Sequence, residues 1–492
     1  MDKSNVMRHK NLFVFVLLLS ISISYGWAQS AIDALRYNTN GQIGTARNIA
    51  LGGSLGSMGG DMSVVSTNPA GIARFKSTEF QISPNVVFGN TSGTYLGNTI
   101  EDNHLRFNLS NAGIAFAKVM NENGWKSFSA GIGINRLNHY DENIFLSGTN
   151  TNNSLLDLHA AIAANVPVNS IVDFFPFDAG LTYLGEVLIA DTITNQYSSI
   201  LNGVAPEQDI TISRTGGKYE ANISVGGNYE DKIYVGGSIG IPVIRFNETK
   251  ITTETDANDD IEGFNYFDVR DEFSSSGYGV NFKLGVLGVP HEKVRLGLAF
   301  HSPSLMSFSD QYYTFVNTDF TTVAFEVESP SGEFSYRFVN PWKLIGNAGF
   351  IMGKYGFVST EYELQNPGNA KFKFKSNDAD TKREEDIRNQ AIADLYTWQH
   401  HLKIGIEAKF EPIRIRVGFQ YKTSPFADGG KAELTYSGGI GYRGKHFFVD
   451  GAFAYSVGQI NFEPYGFGSI TSGTALLDRN RSQITFTIGA KL

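Results

Sequence analysis

The chain of 492 residues has no cysteine, which removes disulfide frameworks and thiolate metal sites from consideration. Beyond its first residues it also lacks any apolar run long enough to cross a bilayer as a helix. The later stretches are broken every second residue by a polar or small side chain. Positive charge is in deficit: the formal net charge is −9. It becomes two units more negative once residues 1–28, with Lys3, Arg8 and Lys10 against Asp2, are set aside. No basic stripe is visible, which argues against a nucleic-acid partner. There is no His-Glu-x-x-His and no Gly-x-x-x-x-Gly-Lys-Ser/Thr, and the spaced glycines Gly53, Gly56 and Gly59 lie outside any βαβ pattern. No enzyme, cofactor or metal site is expected.

What is present begins with an export signal. A cationic start is followed by the apolar run Leu12 to Ile23, and Gly26-Trp27-Ala28 supplies small residues for cleavage after Ala28. Beyond it the dominant pattern is alternation. Ile484, Phe486, Ile488, Ala490 and Leu492 interleave with Gln483, Thr485, Thr487 and Lys491. Ile413, Ile415, Val417, Phe419 and Tyr421 interleave with Arg414, Arg416, Gln420 and Lys422. In a strand, successive side chains face opposite sides. The pattern therefore fits either a soluble sandwich or the wall of a membrane barrel, and alternation by itself does not separate them.

Connection lengths do. Fourteen segments carry the period: 78–89, 105–119, 125–137, 218–229, 232–246, 277–288, 293–302, 341–352, 355–364, 400–410, 412–422, 431–442, 446–459 and 482–492. Even-numbered links are short, such as Glu230-Asp231 and Gly353-Lys354, whereas the odd-numbered links read as long and polar. Short turns at one rim and long loops at the other are the mark of an outer-membrane barrel. The expected fold is all-β: a fourteen-stranded antiparallel transmembrane β-barrel in the bacterial outer membrane. Residues 1–28 form the signal peptide and 77–492 the barrel, with extracellular loops at 138–217, 247–276, 303–340, 365–399 and 460–481.

Residues 29–76 differ from the rest. They are rich in Gly, Ala, Ser and Asn and have too little apolar bulk for a core of their own. Gly44-Thr45-Ala46-Arg47, Gly52-Gly53 and Gly59-Gly60-Asp61 are followed by Asn68-Pro69-Ala70-Gly71-Ile72 and then by the fourteen strands. This arrangement resembles the FadL/TodX family of outer-membrane transporters for long-chain fatty acids and other hydrophobic compounds, in its Bacteroidetes-type branch. The resemblance implies a lumen plugged by an N-terminal hatch, with Asn68, Pro69, Ala70 and Gly71 as the hatch motif. It implies passive transport of a hydrophobic small molecule, with hatch-gated lateral exit through the wall. Outer-membrane lipid and the barrel-assembly machinery are the expected partners. A docking or assembly role in protein secretion, with a secreted protein as partner, is the alternative; a general polar porin is the third reading. The chain departs from many outer-membrane barrels in ending on Leu492 instead of an aromatic residue.

Two regions are candidates for the transport path. In the second segment Phe107 and Leu109 share one face but Ile114 and Phe116 fall on the other, so the phase slips within Ser110-Asn111-Ala112-Gly113. Such a bulge weakens strand pairing, and Gly131 and Gly133 on the next segment leave room for the hatch. The loop 138–217 is apolar enough to form a lid over a greasy ligand, with Phe174, Phe175, Phe177, Leu181, Tyr183 and Leu184 as candidate contacts. The inward charges Arg295, Lys403, Glu407, Arg414, Arg416, Glu433, Arg443 and Asp450 are expected to form a solvated lattice of ion pairs. His400 and His401 are adjacent, so they face opposite sides and cannot share a metal.

Overall fold

The computed structural model describes residues 30–42, 44–120 and 124–492; the signal-peptide reading of residues 1–28 lies outside them. Fourteen strands form the wall: β1 (Glu79–Tyr95), β2 (Asn98–Val119), β3 (Trp125–His139), β4 (Glu207–Tyr229), β5 (Ile233–Thr255), β6 (Phe264–His291), β7 (Val294–His301), β8 (Lys343–Ile351), β9 (Gly356–Gln365), β10 (Gln399–Phe410), β11 (Ile413–Lys422), β12 (Glu433–Arg443), β13 (Phe447–Phe462) and β14 (Ala475–Lys491). Each pairs antiparallel with the next, and β14 closes on β1 from Glu79↔Lys491 to Thr94↔Leu476.

Burial decides between sandwich and barrel. On β11 the apolar Ile415, Val417 and Tyr421 are exposed, whereas Arg414, Arg416, Gln420 and Lys422 are buried. On β14 Phe486 and Ile488 point out while Gln483, Thr485 and Thr487 point in. Greasy outside and polar inside is the arrangement a membrane imposes on a closed sheet.

The strands stand taller than the alternation suggests. β5 runs on to Thr255 and β6 begins at Phe264, so most of 247–276 is strand. Within 303–340, the segments Ser304–Phe320 and Gly332–Asn340 pair with each other, and the first also pairs with β6. The expectation that every odd-numbered link is a long loop fails between β1 and β2. There the turn is Leu96-Gly97, both residues left-handed, between the paired Tyr95 and Asn98. Once a hairpin leaves the membrane it carries polar residues on both faces, as Asn90, Thr91 and Ser92 do opposite Glu101, Asp102 and Asn103. Nothing lipid-facing then marks the strand.

Most of the inward charges pair under cover and not in the solvated state expected of them, whereas Glu433, 3.7 Å from Lys422, and the Glu411 partner of Arg414 remain open to solvent. Arg416 is fully buried and donates from Nε to Glu407 and from Nη1 to Asp450, each at 2.7 Å. Arg443 holds the other oxygen of Asp450 at 2.8 Å. Lys403 bridges Glu361 at 2.8 Å and Glu363 at 3.3 Å. Lys283 pairs with Glu220. Arg295 instead meets the sulfur of Met58 at 3.5 Å. Removing one partner of a buried pair leaves an uncompensated charge. Arg416→Ala is expected to lower stability by about 3 kcal/mol, the lower end of the range for such losses because Arg443 stays on Asp450. Urea unfolding of vesicle-reconstituted protein measures this; an unchanged midpoint would contradict the buried network.

Candidate functional site

The site is built from the hatch upward. Ser30 caps α1 (Ala31–Asn38) in a capping box with Asp33. Thr45 caps α2 (Ala46–Ala50), and its hydroxyl donates to the Asp61 carboxylate at 2.8 Å. That carboxylate also accepts from the Ser63 amide at 2.9 Å. The separate glycine-rich runs of the sequence are thereby tied into one knot. At Gly59, φ is +63°, and a Cβ there would press on the Cα of Gly71 at 2.9 Å, so two turns cross at a point only glycine permits. The knot fills the lumen. α2 packs on β11 to β14, and the turn Pro69–Arg74 packs on β3 to β6. Arg47 reaches Glu407 at 3.4 Å, and the Ala46 amide donates to Thr487 at 2.8 Å.

The motif Asn68-Pro69-Ala70-Gly71 is buried against the wall. The Asn68 Oδ1 accepts from the Ala70 amide at 3.1 Å, capping the turn that Pro69 begins. Its Nδ2 donates to Asn347 at 2.9 Å. Inward glycines make room for it: a side chain at Gly285 would collide with Asn68, and one at Gly236 with the Pro69 carbonyl.

The bulge falls at Ser110, because Ser83 pairs with Asn111 while Pro84 pairs with Leu109. Ser110 donates to the hatch carbonyl of Gly44 at 2.5 Å. Pairing between β2 and β3 runs from Val119↔Ser127 to Asn111↔Asn135 and, among the described residues, stops there. Above this point the chain beyond β3 continues as strand Glu142–Thr149 and pairs with β4, not β2. Among the described residues the bonds across the resulting seam are made by side chains. Arg106 meets Asp141 at 3.3 Å, Asn98 donates to the Ser147 carbonyl at 3.1 Å and Asn143 to the Asn103 carbonyl at 3.5 Å. At its foot a polar thread leads inward: Gln81 to Asn111 at 2.9 Å, Asn111 to Asn135 at 2.7 Å, and Asn135 to Ser66 of the hatch at 2.8 Å. Ala112 pairs with Ile134 just below. Gly113, Gly131 and Gly133 receive Met62 of the hatch, whose Cε stands 2.9–3.3 Å from where their Cβ atoms would be.

The structure divides the candidate loop residues. Leu181 is buried beside Leu155 and Leu156 of α3 (Leu155–Ala163) and Phe267 of β6. Phe175 is buried with Ile171 of α4 (Ile171–Phe174) and Ala179 of α5 (Ala179–Leu184), with Tyr183 against them. Phe177 lies on Tyr312 at 4.7 Å. Phe174 and Leu184 are exposed. The six are thus divided among separate clusters and the exposed surface. The sequence reading missed a larger apolar centre, in which α1 sits: Tyr37, fully buried, stacks on Phe308 at 4.2 Å and edges onto Phe338 at 5.5 Å, with Tyr336, Phe372 and Tyr396 around them. Its members alternate along 304–320 and 332–340, a signal that could have exposed it. Ser54, in the run Gly52-Gly53-Ser54-Leu55-Gly56, is buried and bonded to the Leu51 carbonyl and to Ser359, both at 2.8 Å. His401 is half-buried on Gln420 while His400 faces out on Tyr362.

Burial pushes the Asp178 carboxyl, cap of α5 in the lid, up to about 6 from 3.8. A raised acid pKa means the folded lid holds the proton more tightly, so its stability falls as pH climbs from 3.8 through about 6. Hydrogen-exchange protection over 171–188, corrected for the intrinsic rise of amide exchange with pH, is expected to fall across that window, and Asp178→Asn to remove that fall. Deleting 30–76 is expected to turn a closed barrel into an ion-conducting one, since lumenal charge acts only along a water-filled path. Planar-bilayer recordings that match between full-length and deleted protein would contradict the plug. Gly285→Val, which evicts Asn68, is expected to give intermittent conductance.

No family model and no curated protein matches the chain. Solved structures do. A Pseudomonas aeruginosa FadL homologue aligns over 92% of this chain and 99% of its own, at 11% identity and TM-score 0.54. The Pseudomonas putida toluene transporter TodX aligns over 91% and 98%, at 10% identity and TM-score 0.52. The chain thus has the fold of the FadL/TodX outer-membrane barrels, hatch included.

Proposed function

We propose that the protein is a passive outer-membrane transporter that brings hydrophobic small molecules, long-chain fatty acids among them, into the cell. The observation that carries this reading is the seam between β2 and β3, unpaired above Asn111↔Asn135 and threaded to the hatch through Asn135 and Ser66. An apolar solute gains little by descending the lumen, which is lined with Lys283, Glu220, Lys403 and Arg416. Each CH₂ kept out of water is worth about 0.8 kcal/mol, and only a sideways exit into the membrane retains that gain. The solute enters among the apolar elements of the extracellular half, where α1 of the hatch is built into the aromatic centre around Tyr37. Displacement of the hatch then loosens Ser110 and Asn135, and the seam parts. The FadL homologue and the toluene transporter share this fold, which supports the reading. No catalytic step enters it.

One observation favours a second reading. The lid presents exposed Phe174, Leu184, Ile189 and Ile193 outward, where a docking protein in a secretion assembly would meet them. A secreted protein copurifying in stoichiometric amount would favour docking, and an acyl chain copurifying would favour transport.

The absence of native cysteine gives a clean test. Asn103→Cys with Asn143→Cys, joined by oxidation or a short bis-maleimide, is expected to stop uptake of a labelled long-chain fatty acid, with recovery on reduction of the disulfide. Uptake undiminished by a completed crosslink would rule out the lateral route at this seam.

A further inference from the structure

Below the seam, near the short-turn rim, the outer wall carries an apolar groove of about 730 Å³. Its floor is made by missing side chains. On β4 and β5, Val225 pairs with Gly237 and Gly227 with Val235, so branched and bare positions form a checkerboard on the lipid face. Ala130 of β3 continues the bare strip. Trp125, stacked on Phe128 at 5.2 Å, leans over Gly227, and a Cβ there would stand 2.6 Å from the indole. Phe116 and Leu284, both exposed, form the opposite sides. Lys118, also exposed, stands on the lining next to Val119, the last residue of β2.

The groove has no opening to the lumen. Ladder pairing is continuous beneath it, from Val119↔Ser127 to Ala115↔Gly131 between β2 and β3, and through Gly226↔Gly236 and Gly236↔Gly285 across β4 to β6. The other side of this wall is occupied by the hatch, since side chains at Gly226 and Gly236 would meet Ile72 and Pro69. Whatever fills the groove comes from the membrane. A cation beside an indole at the rim of an apolar slot is the arrangement that meets a lipid where its chain joins its headgroup.

We propose that this groove is a binding site for one membrane glycerophospholipid, with an acyl chain lying over Gly227 and Gly237 and the phosphate at Lys118. The site is separate from the transport path and stands whether or not the seam opens.

The test reads Trp125. Trp342→Phe and Trp398→Phe leave it the only tryptophan after residue 28. This variant is placed in phosphatidylethanolamine vesicles containing a minor fraction of phosphatidylglycerol brominated on its acyl chain. Quenching of Trp125 is expected above the random-mixing level. Gly237→Leu, whose Cβ meets Leu284 at an ordinary 3.5 Å, is expected to bring it down to that level. Ala130→Leu fills the same space and serves if the first variant does not fold, with heat-modifiable migration as the check. Lys118→Gln is expected to keep quenching by brominated phosphatidylethanolamine and lose the preference for phosphatidylglycerol. Random-level quenching in the parent overturns the proposal, as does quenching that both filled variants retain. Relief of quenching by an added long-chain fatty acid assigns the groove to the transport path and also overturns it.

Discussion

The membrane requires every lipid-facing position of the wall to be apolar, and because strand side chains alternate, half of each strand is forced inward with its polar groups. That half must be satisfied where little water reaches. Arg416, lying between Glu407 and Asp450 with no exposed surface, illustrates the result: a charge that is tolerable only because two carboxylates meet it. The hatch completes the same bookkeeping from the other side. Arg47 comes to Glu407, Lys218 donates to the Tyr37 carbonyl at 2.8 Å, and Gln420 to Gln42 at 2.8 Å. A plug of this kind needs backbone groups and small side chains more than bulk. The glycine and serine content of residues 44–71 follows from the polarity of the wall.

The hatch is not held equally on all sides. Toward β5 to β8 its motif is seated by shape: Asn68 and Pro69 occupy space left by Gly236, Gly285 and Gly297, and the Asn68 amide is bonded to Asn347. Toward β2 and β3 Met62 is seated by shape over Gly113, Gly131 and Gly133, and above it the hold passes to a thread of single side-chain hydrogen bonds through Ser110, Asn111, Asn135 and Ser66. Shape contacts resist any displacement, whereas a thread parts link by link. The thread lies at the foot of the seam, where the ladder between β2 and β3 ends.

Much of this could be read from residues alone, and the part that could not has a physical boundary. The strand count followed from alternation, and the bulge from the change of face between Leu109 and Ile114, because both are imprinted on the lipid side. Above the membrane that imprint ends. On β5, Glu248, Lys250, Thr252 and Glu254 keep the period while Thr249, Ile251 and Thr253 opposite them carry no lipid signal, so the segment reads as loop. The lid residues were grouped because they are apolar and near in sequence. Burial separates Leu181 and Phe175 from Phe174 and Leu184 because α3 to α5 fold back on one another, and composition contains no trace of that. The centre around Tyr37 joins segments hundreds of residues apart: the alternation of Phe334, Tyr336 and Phe338 marks a buried face, but no local pattern says what it packs against.

Magnitudes show why the seam is the weak line of the wall. Between β2 and β3 the lower pairing has nine residue pairs, each sharing the cooperative ladder. Above Asn111 the contacts across the gap are an ion pair at 3.3 Å between partly exposed Arg106 and buried Asp141, and two amide-to-carbonyl bonds at 3.1 and 3.5 Å. A hydrogen bond contributes about 0.5–1.5 kcal/mol net, and the ion pair about 1 kcal/mol, because Arg106 is half in solvent and Asp141 keeps Arg136 when it leaves. Parting the upper seam therefore costs on the order of 3 kcal/mol before the hatch moves at all. Elsewhere in the wall an opening of similar height would break a run of backbone bonds whose freed groups face hydrocarbon, where each unmet group costs several kcal/mol. The chain avoids that penalty at the seam by turning the backbone groups of Glu142–Thr149 toward β4. The sector that is cheapest to open is thus the one at whose foot the polar thread from the hatch ends.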